Sequence, residues 1–132
     1  MSRPLALALL PALHLALASC ATNPVTGGQD FVLVTEAQEI RMGRQVDAQA
    51  KQRYALYDAN GMQAYVEGIG QRLAKASHRP GISYRFVVFD SADVNAFALP
   101  GGYVYISRGI LPYLNSEAEL AGVIGHEIGH VT

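Results

Sequence analysis

The residues able to do chemistry lie near the end of the sequence, where His126, Glu127 and His130 form the pattern His-Glu-x-x-His. On a helix, two histidines four residues apart project from one face and can bind the same Zn²⁺. Glu127, rotated about 100° from His126, can stand beside that metal as a base toward water. With 4 His and 6 Glu in 132 residues, this pattern is expected by chance about 0.005 times.

The helix that must carry these groups opens at Ser116-Glu117-Ala118-Glu119, which fits a capping box. On a helical wheel started at Leu120, the apolar residues Leu120, Val123, Ile124, Ile128 and Val131 span roughly 300° through 80°. Glu127 falls near 340°, inside the stripe, and the histidines lie on its margin at about 240° and 280°. No Lys or Arg follows Arg108 in the sequence. A carboxylate in an apolar stripe without a local cation costs several kcal/mol unless something compensates it, and a metal site does so. The competing reading is a surface or ion-paired glutamate. Gly122, Gly125 and Gly129 form a separate line at a cost of about 1 kcal/mol each relative to Ala. Close approach of another backbone explains them, and so does tolerance in a helix buried on all sides.

The elements upstream must position this helix. Thr35-Glu36-Ala37-Gln38 fits a second capping box and predicts a helix to about Tyr57. Asn60 is placed to cap another, with Met62, Val66, Ile69, Leu73 and Ala76 at helical spacing. His78-Arg79-Pro80-Gly81 breaks it, and His78 reads as solvated there. Tyr84 to Phe89, Asn95 to Leu99 and Tyr103 to Ser107 are strand-like runs. The last two are joined by Pro100-Gly101-Gly102, which suits a type II turn. A short helix over Arg108 to Leu114 contains Pro112. The fold class is α+β: two N-terminal helices, a small sheet, then the site helix.

Ten Lys+Arg against 11 Asp+Glu give a net charge of −1, and there is no basic run, which argues against nucleic acid as a partner. Charged residues at 16% and apolar ones at 50% exclude a disordered tail. Residues 1–19 hold one arginine, Arg3, and a Leu/Ala-rich run from Leu5 to Ala18. Fourteen helical residues rise about 21 Å, short of a hydrocarbon core of roughly 30 Å, so the segment reads as a secretory signal. It ends in Leu17-Ala18-Ser19-Cys20, which resembles a bacterial lipoprotein cleavage box with Cys20 as the lipidated residue. Residues 20–34 then form the lipidated N-terminus and a Thr/Asn/Pro/Gly-rich tether. In lipoproteins of this kind an Asp after the cysteine signals inner-membrane retention; with Ala21 there, the resemblance implies the periplasmic face of the outer membrane.

Two stretches together, Asn95 to Leu111 and Glu119 to Val131, resemble peptidase family M48, which includes HtpX and the CAAX-prenyl proteases. Asn23-Pro24-Val25-Thr26-Gly27 and Thr35 to Ile40 are similar to its periplasmic lipoprotein branch, the BepA-like proteins. The resemblance implies a gluzincin, with His126 and His130 as zinc ligands and Glu127 as the base. It also implies that Asn95, Ala96, Phe97 and Ala98 lie on an edge strand to which an unfolded substrate adds as a further strand. For Asn95, a strand-end turn role stands beside substrate contact. The implied partners are misfolded or misassembled envelope polypeptides, the membrane through the lipid, and the outer-membrane assembly machinery.

In that family the third zinc ligand is a glutamate on a helix well downstream of the motif. Here Thr132 is two residues past His130. Asp90, Asp93 and Glu119 have no precedent as ligands, and Glu119 lies about two turns before His126 on the same helix. Residues 35–132 therefore read as the N-terminal part of a zinc metallopeptidase domain, truncated after the site helix. The alternative is a non-catalytic, chaperone-like or adaptor lipoprotein that binds extended polypeptide through the Asn95–Leu99 edge.

Overall fold

The computed structural model describes residues 20–22, 29–31 and 34–132, so the signal and the rest of the tether lie outside the described residues. Within the expected tether, Cys20–Thr22 (β1) and Gln29–Phe31 (β2) pair antiparallel. Helix α1 spans Glu36–Arg53 and opens on the expected capping box. Gln38 N–H donates to Thr35 Oγ1 at 3.3 Å, and Thr35 N–H donates to Gln38 Oε1 at 2.8 Å. The helix stops four residues before Tyr57 because the chain turns to the sheet. Leu56 bridges Phe89, and Tyr57 N–H donates to the Val88 carbonyl at 2.9 Å.

Asn60 does not cap helix α2 (Met62–Lys75). It sits in a left-handed conformation, φ 56°, within the 3₁₀ turn Ala59–Gly61, and Asp58 Oδ1 accepts the Gln63 N–H at 3.0 Å instead. Strands β3 (Arg85–Phe89), β4 (Ala96–Leu99) and β5 (Tyr103–Ser107) form a mixed sheet of order β3-β5-β4. β5 runs parallel to β3 and antiparallel to β4. The turn between β4 and β5 is the expected Pro-Gly reversal, with φ of 77° at Gly101 and 91° at Gly102. Helix α1 lies against this turn at Gly43, where a side chain would run into the Pro100 carbonyl.

Strand alternation sorts the core into two layers. Phe86, Val88, Val104 and Ile106 pack with Val66 and Ile69 of α2 and with Leu120, Ile124 and Ile128 of helix α3 (Glu117–Val131). Val87, Phe89, Tyr103 and Tyr105 face the other way, toward Ala50 of α1. There the Tyr105 hydroxyl donates to the buried Asp47 carboxylate at 2.6 Å, and Lys51 pairs with the same carboxylate at 2.7 Å.

The outer edge of β3 is closed by the backbone around Leu56 at its end and by side chains of α2 along the rest. Gln71 donates to the Tyr84 carbonyl at 2.9 Å, and Glu67 accepts the Phe86 N–H at 3.1 Å. Gln63 donates to the Phe86 carbonyl at 2.6 Å and accepts the Val88 N–H at 2.9 Å. These three residues are spaced i, i+4, i+8, so α2 presents them in one row. Among the described residues no strand pairs with the outer edge of β4. The sheet therefore has one closed edge and one open one.

Candidate functional site

Helix α3 starts at Ser116, whose Oγ accepts the Glu119 N–H at 3.2 Å. The capping box is half made, because Glu119 Oε2 reaches one residue further back to the Asn115 N–H at 2.7 Å. Buried Leu120, Ile124, Ile128 and Val131 anchor the helix to the core. Its other end is held by Arg79, which donates to the Val131 carbonyl at 2.9 Å and pairs with Glu39 of α1 at 3.0 Å. Glu39 in turn accepts the Gly101 N–H at 3.1 Å. One guanidinium thus links the helix end, α1 and the β4–β5 turn.

His126 and His130 are exposed, with their rings nearly perpendicular at 89° and centroids 4.6 Å apart. Their Nε2 atoms converge to 3.1 Å. Two ligands at about 2.0–2.1 Å from a tetrahedral zinc stand about 3.3 Å apart, close to the separation of this pair. Among the described residues no third His, Cys, Asp or Glu joins the pair to make a cluster of three.

Glu127 is 8% exposed and, among the described residues, pairs with no cation. Its carboxylate borders a groove of about 560 Å³, whose walls include Asn95 and Ala96 on one side and His126 on the other. A second groove of about 360 Å³ joins Ala98, Leu99 and Pro100 to His130 and Glu39. β4 and α3 therefore run in the same sense, with Ala96 beside His126 and Ala98 beside His130. The steps match: two strand residues rise about 6.6 Å and four helical residues about 6.0 Å.

Ala96 and Ala98 face α3, whereas Phe97 packs in the other layer, stacked on Tyr105 with centroids 5.1 Å apart. Phe97 thus turns away from the histidines. Asn95 lies just before β4 and is tied to β5 through Ser107. For Gly122, Gly125 and Gly129, a Cβ at each meets nothing within 4 Å among the described residues, and Gly122 and Gly129 are exposed, so neither close backbone approach nor burial on all sides is seen there among those residues. His78 is exposed, as expected.

Residues 60–132 match the family described as Peptidase family M48. This chain belongs to that family. Such peptidases are metal-dependent peptide hydrolases, which accords with the paired imidazoles. The chain is 47% identical over 57 residues to the mitochondrial metalloendopeptidase OMA1 of Arabidopsis thaliana, covering 43% of this chain and 12% of that protein. It is 29% identical over 114 residues to the beta-barrel assembly-enhancing protease of Escherichia coli K12, covering 86% of this chain and 23% of that one. With the putative beta-barrel assembly-enhancing protease of Vibrio cholerae, identity is 38% over 68 residues, or 52% of this chain and 14% of the relative. The chain thus spans less than a quarter of the length of these M48 relatives.

Sequence reasoning missed several residues that build the site. Arg79 read as part of a helix-breaking loop, and only its position 52 residues from Val131 in sequence, yet in contact, gives it a role. The i, i+4, i+8 row of Gln63, Glu67 and Gln71 was visible as a polar stripe, but nothing local says that a strand edge lies opposite.

Proposed function

We propose that this M48 chain forms the zinc-binding part of a metalloendopeptidase that cleaves misfolded or misassembled envelope proteins. In this reading Cys20 carries lipid and holds the protein at the periplasmic face of the outer membrane. The lipobox resemblance and the named beta-barrel assembly-enhancing relatives support that placement. Outer-membrane assembly machinery is then the natural partner. The observation that carries the hydrolytic reading is the convergence of the His126 and His130 Nε2 atoms beside buried Glu127, at the foot of a groove walled by β4.

His126 and His130 would hold the zinc through Nε2. When bound, zinc supplies Lewis acidity toward a peptide carbonyl and makes water more acidic. Glu127 takes a proton from the attacking water and returns it to the amine that leaves. Its carboxylate borders the groove beside His126, where that water would stand. The open edge of β4 aligns an extended substrate by main-chain hydrogen bonds, from the Asn95 end to Ala98. Catalytic zinc sites use three protein ligands, so the reading requires a third one from beyond the described residues.

The test is cleavage of an unfolded protein by the full-length, zinc-loaded enzyme and two variants. Glu127→Gln retains zinc and loses at least about 10³-fold in turnover, whereas His126→Ala loses both zinc and activity. Undiminished cleavage by Glu127→Gln overturns the reading. Stable holding of the substrate without hydrolysis in the wild type supports the binding lipoprotein instead.

A further inference from the structure

We propose that the outer face of α1 docks on an anionic phospholipid surface, and that this contact turns the site helix toward the aqueous side. This rests on the reading of Cys20 as a lipidated residue, and goes beyond it by naming the protein surface that meets the membrane. On a helical wheel started at Gly43, which is buried against the Pro100 carbonyl, α1 separates its charges. Glu36, Glu39 and Asp47 fall within about 40° of that inward direction. Arg41, Arg44, Lys51 and Arg53 fall between about 80° and 280°, on the outward side. The carboxylates are already engaged. Glu39 holds Arg79 at 3.0 Å, Glu36 lies 3.8 Å from the same guanidinium, and Asp47 takes the Tyr105 hydroxyl and Lys51. Arg41, Arg44 and Arg53 are exposed and, among the described residues, pair with no carboxylate.

Apolar groups stand among these arginines. Met42 is 48% and Val46 37% exposed, and with Arg53 they occupy the arc from about 260° to 300°. Exposed Val34, just ahead of the helix cap, joins Met42 and Arg41 around a shallow depression of about 280 Å³. Apolar groups set among cations, with no anion on the same face, suit the boundary between headgroups and acyl chains. There the hydrocarbon enters the bilayer while the guanidiniums stay with phosphate.

An acidic protein would neutralise the arginines equally well, but the chain itself favours lipid. Cys20 lies 15 residues before the Thr35 cap, a span of about 50 Å when fully extended. With its acyl group in the bilayer, this tether keeps α1 at high local concentration over the headgroups. The sheet then sets the orientation. Ala50 of α1 packs in one layer of the core, and Leu120, Ile124 and Ile128 of α3 in the other. Docked through α1, the domain holds α3 on the side away from the bilayer.

The experiment uses the full-length protein carrying Cys20→Ser, so that no acyl chain contributes, and vesicles of phosphatidylcholine alone or with about 30% phosphatidylglycerol. Cosedimentation with the anionic vesicles should exceed that with the neutral ones at least about tenfold. Arg41→Gln, Arg44→Gln and Arg53→Gln together lower it at least about tenfold, and Met42→Ser with Val46→Ser lowers it about as much. An environment-sensitive fluorophore on Met42→Cys shifts to the blue on anionic vesicles, whereas one on Lys75→Cys of α2 does not. Equal binding to both vesicles, undiminished binding by the arginine variant, or a shift at Lys75→Cys as large as at Met42→Cys overturns the proposal. So does a Met42→Cys thiol that maleimide cannot reach in the full-length protein without lipid, since another part of the chain then covers the face. The intact mass of native protein extracted from membranes tests the anchor separately. An acylated Cys20, with no binding of the Cys20→Ser protein to anionic vesicles, sinks the docking surface alone. An unmodified Cys20 with vesicle binding intact removes the anchor and leaves the surface.

Discussion

Replacing Gln63 with Leu tests how the sheet is closed at β3. The side-chain amide of Gln63 makes two bonds to the strand, donating to the Phe86 carbonyl at 2.6 Å and accepting the Val88 N–H at 2.9 Å. Phe86 is 1% and Val88 0% exposed, so water cannot freely take over at either residue. An unpartnered buried backbone group costs about 1–3 kcal/mol, and some relief comes from the half-buried position of Gln63, giving a net loss of about 2–4 kcal/mol. Hydrogen exchange reads this locally. The Val88 amide should exchange about 30- to 1,000-fold faster in Gln63→Leu, since each 1.4 kcal/mol is a factor of ten. The Phe86 amide is the internal control, because it bonds to Glu67 and loses no partner. If both amides accelerate equally, the substitution has only lowered global stability. If neither changes, the edge is satisfied by something other than Gln63 and the account of the closed edge is wrong.

Tyr105→Phe should destabilise the fold by about 1–3 kcal/mol in urea unfolding, because buried Asp47 loses the donor at 2.6 Å. Burial, and then the bond to Asp47, raise the Tyr105 pKa above the ordinary phenol range. The unfolded tyrosine ionises first, so its contribution to stability is complete below pH about 10 and is lost as pH rises through the higher folded value. Alkaline unfolding curves of Tyr105→Phe should accordingly be flatter in that window. Gly43→Ala forces α1 away from the Pro100 carbonyl, and the thermal midpoint should fall by the equivalent of about 1–3 kcal/mol. Arg79→Gln removes the tie between Glu39 and the end of α3. Weaker zinc binding in a competition titration is the expected result, and an unchanged zinc affinity would show that the clamp does not position His130.

The motif, the capping box at Thr35 and the Pro-Gly turn were legible because each rests on interactions within a few residues. The wheel argument for Glu127 also held at the level of burial, since a helix with Leu120, Ile124 and Ile128 inward leaves that carboxylate no outward direction. Asn60 misled because Asn both caps helices and tolerates left-handed backbone, and the next residue, Gly61, starts α2 without its help. The parallel pairing of β3 with β5 was not legible. Alternation tells which face of a strand is buried but not which neighbour it takes, and β5 is buried on both faces. Likewise the three glycines of α3 carry a propensity cost whose reason, whether space for a ligand or for a neighbour, lies in what surrounds the helix.

Closing one edge of the sheet, with the other unpaired among the described residues, makes strand addition one-sided. A sheet with two free edges can add strands on both sides and propagate into a fibre. Here growth past β3 is blocked by the row of Gln63, Glu67 and Gln71, so strand addition is confined to the β4 side. An extended polypeptide that adds to this sheet therefore does so beside Ala96 and Ala98, on the strand that borders His126 and His130.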